Sequence, residues 1–165
     1  MAADLTWTRA ATPLGTLTVV ASDRGIVATD LGETWERLLA ELGEGSSPPR
    51  RDDAGLAEAR EDAASYFAGT RKRLRTPVDL SFATGFTRAV YEATMAVPYG
   101  ELRTYGDVAT AAGSPRAYRA AGTALRHCPI ELWIPCHRVV RSDGGLSGYR
   151  WGVERKRALL KREAG

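Results

Sequence analysis

Strand-like and helix-like patterns are segregated along this 165-residue chain, and that order constrains the fold more than any other feature. The short β-prone runs Leu5-Thr6-Trp7-Thr8, Leu17-Thr18-Val19-Val20 and Ile26-Val27-Ala28 all precede residue 32. Pro13-Leu14-Gly15 and Asp23-Arg24-Gly25 punctuate them with turn chemistry, which predicts a small antiparallel meander. Trp35, Leu38, Leu39 and Leu42 then fall at helical spacing over 33–43, and a second helix is expected at about 54–68. Past Thr76-Pro77-Val78-Asp79-Leu80 the pattern becomes mainly helical. Strands followed by helices read as α+β. The expectation is an N-terminal α/β lobe over 1–80 with a small antiparallel sheet, and a C-terminal helical lobe over 81–165.

The charge divides along the same line. Residues 1–70 hold 6 Lys/Arg and 12 Asp/Glu, a net of −6, and residues 71–165 hold 17 and 8, a net of +9. A basic lobe on an acidic one suggests a polyanion as partner, against the plainer reading of a lopsided solvated surface. The hydrophobic fraction of 44% supports a folded core. No run approaches a membrane span, and the start carries an acid and no apolar h-region, so the expected location is the cytoplasm.

Within the second lobe, Phe86, Val90 and Met95 form one helical stripe that Pro98-Tyr99-Gly100 ends. Thr104 with Asp107 three residues on resembles a capping box opening a helix over 105–112. Ser114 as N-cap and Pro115 at the first helical position predict the next helix over 115–126. Two short helices joined by a Gly-containing turn suggest a helix-turn-helix, although many such pairs never touch DNA. The second helix combines Ala117, Ala120, Ala121, Gly122 and Ala124 with Arg116, Arg119 and Arg126. Tight helix packing explains the small residues but not the arginines. A final helix is expected over 154–163.

The two cysteines and two histidines all lie within His127–His137. A disulfide is not expected in an intracellular chain. Structural zinc sites separate paired ligands by roughly two to five residues, whereas His127-Cys128 and Cys136-His137 are dipeptides, so no metal is expected. A cysteine reacts as thiolate, and a neighbouring base raises the thiolate fraction. Residues from the Cys136-His137 pair alone leave core packing, metal binding and nucleophilic catalysis open.

Pro135-Cys136-His137-Arg138-Val139-Val140, followed by Gly148-Tyr149 and Arg155-Lys156-Arg157-Ala158-Leu159-Leu160, resembles the O6-alkylguanine-DNA alkyltransferase family. Val97-Pro98-Tyr99-Gly100-Glu101 is similar to its lead-in. Ser147 to Val153 looks like the alkyltransferase half of the bacterial adaptive-response protein. The resemblance covers 84–163 closely and 1–80 loosely. It implies a ribonuclease H-like first lobe and a winged-helix-like helix-turn-helix in the second. It implies that Cys136 takes an alkyl group once, from O6-alkylguanine or O4-alkylthymine, in direct-reversal DNA repair. His137 and Glu163 would form the activating relay with an abnormally low Cys136 pKa. Tyr105 would crowd a phosphate and donate to the leaving base. Arg119 would enter the duplex as a finger, with Ala117, Tyr118, Ala120, Gly122, Arg126 and Arg138 as further DNA contacts. The flipped base would lie near Val139, Tyr149, Arg150 and Trp133. The implied partner is double-stranded DNA, held in the minor groove with little sequence preference. No cofactor, membrane or obligate protein partner is implied, and the protein would be a monomer.

Three residues depart from the family pattern. Cys128 stands where the family has an Asn that joins the helix-turn-helix to the active-site segment, and Tyr118 and Trp133 are bulkier than expected. These departures raise two other readings: a variant tuned to an unusual adduct, or an alkyltransferase-like lesion-binding protein without chemistry. The vertebrate zinc site is not expected, since the first lobe has no Cys or His.

Overall fold

The computed structural model describes residues 4–45 and 47–165. The chain divides into two compact units at the Asp79–Leu80 junction.

In the first unit β1 (Thr6–Thr12), β2 (Gly15–Ala21) and β3 (Ile26–Leu31) form the expected antiparallel meander. The first hairpin is closed by Thr12, whose hydroxyl donates to the Gly15 carbonyl (2.6 Å) and accepts from the Leu14 N–H (3.1 Å). A two-residue strand not foreseen from sequence, β4 (Arg50–Arg51), pairs parallel to β1, so the sheet order is β3-β2-β1-β4. Leu17, Val19, Val20 and Ile26 are fully buried in this sheet. Gly25 is needed at its turn: its φ is +149°, and a Cβ there would lie 2.4 Å from the Pro77 carbonyl oxygen. That oxygen accepts from the Ile26 N–H (2.9 Å). The helix expected over 33–43 is α1 (Trp35–Leu42), and that over 54–68 is α2 (Ala57–Phe67), which packs on β1. α2 buries Ala59, Ala63 and Tyr66 together with Asp62, whose carboxylate accepts from Arg71, Arg75 and Thr76 and so ties down the segment leaving the helix.

The second unit contains α3 (Gly85–Met95), β5 (Arg103–Thr104), α4 (Tyr105–Ala111), α5 (Tyr118–Arg126), a single 3-10 turn (Cys136–Arg138), β6 (Val139–Val140) and α6 (Val153–Ala164). The capping box forms in both directions: Thr104 Oγ1 accepts from the Asp107 N–H (3.0 Å), and Asp107 Oδ2 accepts from the Thr104 N–H (2.9 Å). α4 and α5 pack together as a helix-turn-helix across a connection in which Gly113 has φ +87°. The second helix starts three residues later than expected. Ser114 does not cap it: its carbonyl accepts from the Ala117 N–H (2.9 Å), closing a turn, and Ala117 is the N-cap. α5 buries Ala121 and Leu125, and the Tyr91 hydroxyl of α3 donates to the Ala124 carbonyl (2.9 Å). β5 pairs parallel to β6, Arg103 with Val139 and Thr104 with Val140, which fixes the start of α4 beside the segment that follows Cys136. Among the described residues no helix is long and apolar enough to cross a membrane.

Candidate active site

The apolar run Ile130–Ile134 folds as a tight turn. The Ile134 N–H donates to the Ile130 carbonyl (3.2 Å), and Leu132 has φ +80°. A non-glycine residue in this region is strained by about 1–3 kcal/mol and persists only where its surroundings enforce it. Leu132 is buried, as are Glu131 and Trp133 on either side. The chain then enters the 3-10 turn, in which the Cys136 N–H donates to Ile134 (2.7 Å) and the Arg138 N–H to Pro135 (2.9 Å). This turn removes the alternation that would have sent Cys136 and His137 to opposite sides of an extended strand.

α6 supplies the other half of the site. Lys156, Leu159 and Glu163 are spaced by three and four residues and form its buried face. Glu163 Oε2 faces His137 Nε2 at 2.6 Å, both side chains being buried. Glu163 Oε1 accepts from Arg138 Nε (2.7 Å) and from the Gly100 N–H (3.1 Å), and Arg138 Nη1 donates to the Val97 carbonyl (2.8 Å). With Nε2 committed to Glu163, His137 presents Nδ1, which is buried without a protein partner among the described residues. Burial pushes the His137 pKa down, against the pull of Glu163. A neutral imidazole whose Nε2–H points at a carboxylate leaves Nδ1 as a proton acceptor.

Two expectations are corrected here. Arg138 was expected to touch DNA, but its guanidinium is buried and committed to Glu163 and Val97. Cys136 was expected to have a depressed pKa. Instead burial pushes the thiol well above the ordinary cysteine range, and Cys128 and Glu131 beside it push the same way. Lys156 pulls in the other direction but is outweighed by burial, which leaves the resting sulfur a neutral thiol.

The remaining residues fall into two groups. Near Cys136, Tyr149 and Trp133 are buried, and Tyr149 packs edge-on to Trp151 with ring centroids 6.1 Å apart. Lys156 Nζ donates to the Val139 carbonyl (2.7 Å) and lies about 6 Å from the rings of both Tyr105 and Tyr149. The Tyr105 hydroxyl is hydrogen-bonded to Ser147, and burial pushes its pKa up, which keeps it a donor. Arg150 Nη2 donates to the Pro129 carbonyl (3.2 Å). Cys128 is fully buried with Sγ 3.7 Å from the Ile130 carbonyl oxygen, a weak contact in place of an amide.

The second group lies on α5. Tyr118, Arg119, Ala120 and Arg126 are exposed, and Arg119 and Arg126 are seven residues apart on one helix face. Gly122 faces the Tyr105 ring instead, and a Cβ there would make an ordinary contact at 3.7 Å, so the packing does not require glycine. Glu131 and Lys156 were not singled out by sequence reasoning. For Lys156 the signal exists, since a Lys and a Glu share the apolar stripe of α6. Among the described residues no cluster of three or more His, Cys, Asp or Glu could hold a metal ion.

A helix-turn-helix tied by β-pairing to a buried Cys-His-Glu set is the arrangement of a DNA-handling nucleophile class of protein, and it is comparison with known proteins that supplies the DNA. Residues 85–165 match the 6-O-methylguanine DNA methyltransferase, DNA binding domain, and residues 5–80 match the 6-O-methylguanine DNA methyltransferase, ribonuclease-like domain. The chain belongs to the 6-O-methylguanine DNA methyltransferase family. It is 40% identical over 152 residues to a methylated-DNA–protein-cysteine methyltransferase of Mycobacterium tuberculosis, covering 92% of this chain and 87% of that one. It is 41% identical over 153 residues to the regulatory protein ada of Salmonella typhimurium, covering 91% of this chain but only 43% of that longer relative. Among solved structures, Mycobacterium tuberculosis OGT in complex with DNA aligns with a TM-score of 0.77 at 30% identity, covering 98% of this chain and 92% of that one.

Proposed function

We propose that this protein repairs DNA by direct reversal, moving the alkyl group of O6-alkylguanine in duplex DNA onto the Cys136 sulfur. The observation that carries the reading is the buried Cys136 next to a His137 whose second nitrogen is held by Glu163 at 2.6 Å. In-line attack of sulfur on the alkyl carbon expels guanine and forms a thioether that cannot leave, so each molecule acts once. His137 Nδ1 accepts the thiol proton, directly or through one water, and Glu163 stabilises the imidazolium that results. Because the thiol is neutral at rest, the thiolate forms only as the reaction proceeds. This protects the sulfur from adventitious oxidation.

The alkyl carbon cannot be reached inside stacked DNA, so the base must be flipped out. Exposed Arg119 and Arg126 on α5 suit contact with the duplex, with Arg119 filling the gap that the base leaves. Tyr105, held as a neutral phenol, donates to the departing base. Tyr149, Val139, Arg150 and Trp133 line the base pocket. Affinity comes chiefly from phosphate contacts and falls with salt. The bacterial relatives favour action in the cytoplasm, on nucleoid DNA.

Incubation with a duplex containing O6-methylguanine, followed by digestion of the DNA, tests the reading. One unmodified guanine should appear per protein molecule, and Cys136→Ser should abolish it. Tight lesion binding with the methyl left on the DNA would favour the non-catalytic lesion-binding alternative.

A further inference from the structure

Glu131 has no part in the relay just described, yet its carboxyl is fully buried at the mouth of the 3-10 turn. Burying a carboxylate is costly, and an apolar residue would fill a core position at no such cost. The tight Ile130–Ile134 turn, with Leu132 held at φ +80°, buries Glu131 five residues before Cys136, near enough that the Cys136 thiol and the Tyr149 hydroxyl both act on its carboxyl. Arg150 Nε stands 3.8 Å away. The carboxyl is therefore buried in one cluster with the reacting sulfur and with two of the residues assigned to the base pocket.

We propose that Glu131 is a second proton acceptor for Cys136, its carboxylate taking the thiol proton as the sulfur attacks the alkyl carbon. This rests on the alkyl-transfer reading above. In the step, the S–H bond breaks with its proton passing to a Glu131 oxygen, and the S–C bond forms. The C–O6 bond breaks with its electron pair leaving on guanine. The guanine anion takes a proton at N1 from water or Tyr105, and Glu131 later returns its proton to water. The pair carries one negative charge throughout the transfer, so no new charge is created in the buried site.

The pH dependence follows from the surroundings. The groups facing Glu131 are the Cys136 thiol, the phenols of Tyr149 and Tyr91, the Arg150 guanidinium and the Lys156 ammonium, with the Cys128 thiol facing Cys136. Burial lifts the Glu131 carboxyl to about 8, with Arg150, Tyr149 and Lys156 pulling it back only in part. An acceptor of that strength is far better matched to a thiol than an ordinary carboxylate. Only about a tenth of the carboxyls are ionised at pH 7 and about nine-tenths at pH 9, so this route strengthens about tenfold between them. Loss of charge on Lys156, which burial pushes down, would have the opposite sign.

The test is the single-turnover transfer rate from O6-methylguanine duplex, measured from pH 6.5 to 9.5 in the wild type and in Glu131→Gln. The wild-type rate should rise about tenfold with a midpoint near 8. The variant should lose that limb and keep a slower, flatter rate through His137. The proposal is overturned if the wild type shows no such limb, or if the variant keeps both the limb and a rate within about twofold. Infrared titration of the wild-type protein needs no variant. A protonated-carboxyl band that disappears in step with the rising rate supports the proposal, and its absence at pH 6.5 overturns it. A wild type that never alkylates Cys136 would instead sink the alkyl-transfer reading itself.

Discussion

Replacing Glu163 by alanine should be among the most damaging single changes in the second unit. Its carboxylate receives Arg138 Nε (2.7 Å), Arg138 Nη2 (3.1 Å) and the Gly100 N–H (3.1 Å), and it faces His137 Nε2 (2.6 Å). The Glu163 and His137 side chains are essentially sealed from water, and that of Arg138 is only 9% exposed. Alanine leaves the guanidinium as an uncompensated buried charge, and breaking such a pair costs about 3–5 kcal/mol. Against a total stability of roughly 5–15 kcal/mol, that is a large fraction. Urea denaturation of the wild type and variant reads the loss as a shift in midpoint at constant slope. The double variant Glu163→Leu with Arg138→Met should recover part of it, because the charge and its partner then go together. A cost for Glu163→Ala below about 1 kcal/mol, the range of an exposed pair, would refute a buried, charge-compensating role. Glu163→Gln separates catalysis from stability: it keeps the shape but weakens the hold on His137, so transfer should slow more than stability falls.

Three further outcomes follow from the same geometry. Without DNA, Cys136 should react with iodoacetamide no faster at pH 8 than a buried neutral thiol, because burial, Cys128 and Glu131 favour the protonated form; the rate should climb only well into alkali, and a midpoint below the ordinary cysteine value would contradict this. Thr104→Ala removes the side-chain half of the capping box, leaves the backbone N–H of residue 104 to Asp107, and should cost about 0.5–2 kcal/mol by urea melt, with faster amide exchange confined to the first turn of α4. Arg119→Ala is on an exposed face, so stability should change by less than about 0.5 kcal/mol while transfer from duplex DNA slows; equal slowing on a free alkylated guanine base would show that Arg119 does not act through the duplex.

The parts of the molecule written in short-range sequence were legible. The hairpin at Pro13-Leu14-Gly15 and the Thr104–Asp107 capping box depend on residues a few positions apart, whereas the α3 stripe holds only in part: Val90 is buried with Tyr91 and Thr94, and Met95 is exposed. The misreadings share a cause in long-range packing. Ser114-Pro115 offers a good helix start, yet the Ser114 carbonyl closes onto Ala117 and α5 begins at Tyr118. Nothing in Pro135-Cys136-His137-Arg138 reveals that Arg138 turns inward, because its partner Glu163 lies 25 residues on. The Cys136 thiol has a histidine beside it in sequence, but burial and then the neighbouring Cys128 thiol decide the direction of its pKa. Strand β4, only two residues long, is made by pairing with β1 rather than by its own β propensity. The departure at Cys128 is visible in the sequence, and the structure turns it into a buried thiol beside Cys136 in place of a bridging amide.

The central claim is that the alkyl carbon ends on one particular sulfur. Peptide mass mapping after reaction with O6-methylguanine duplex measures this directly, since Cys128 and Cys136 are the chain's only two cysteines. One added methylene per molecule is expected, carried by Cys136, with Cys128 unmodified. A methyl group on Cys128, or none on either cysteine while the lesion is bound, would contradict it.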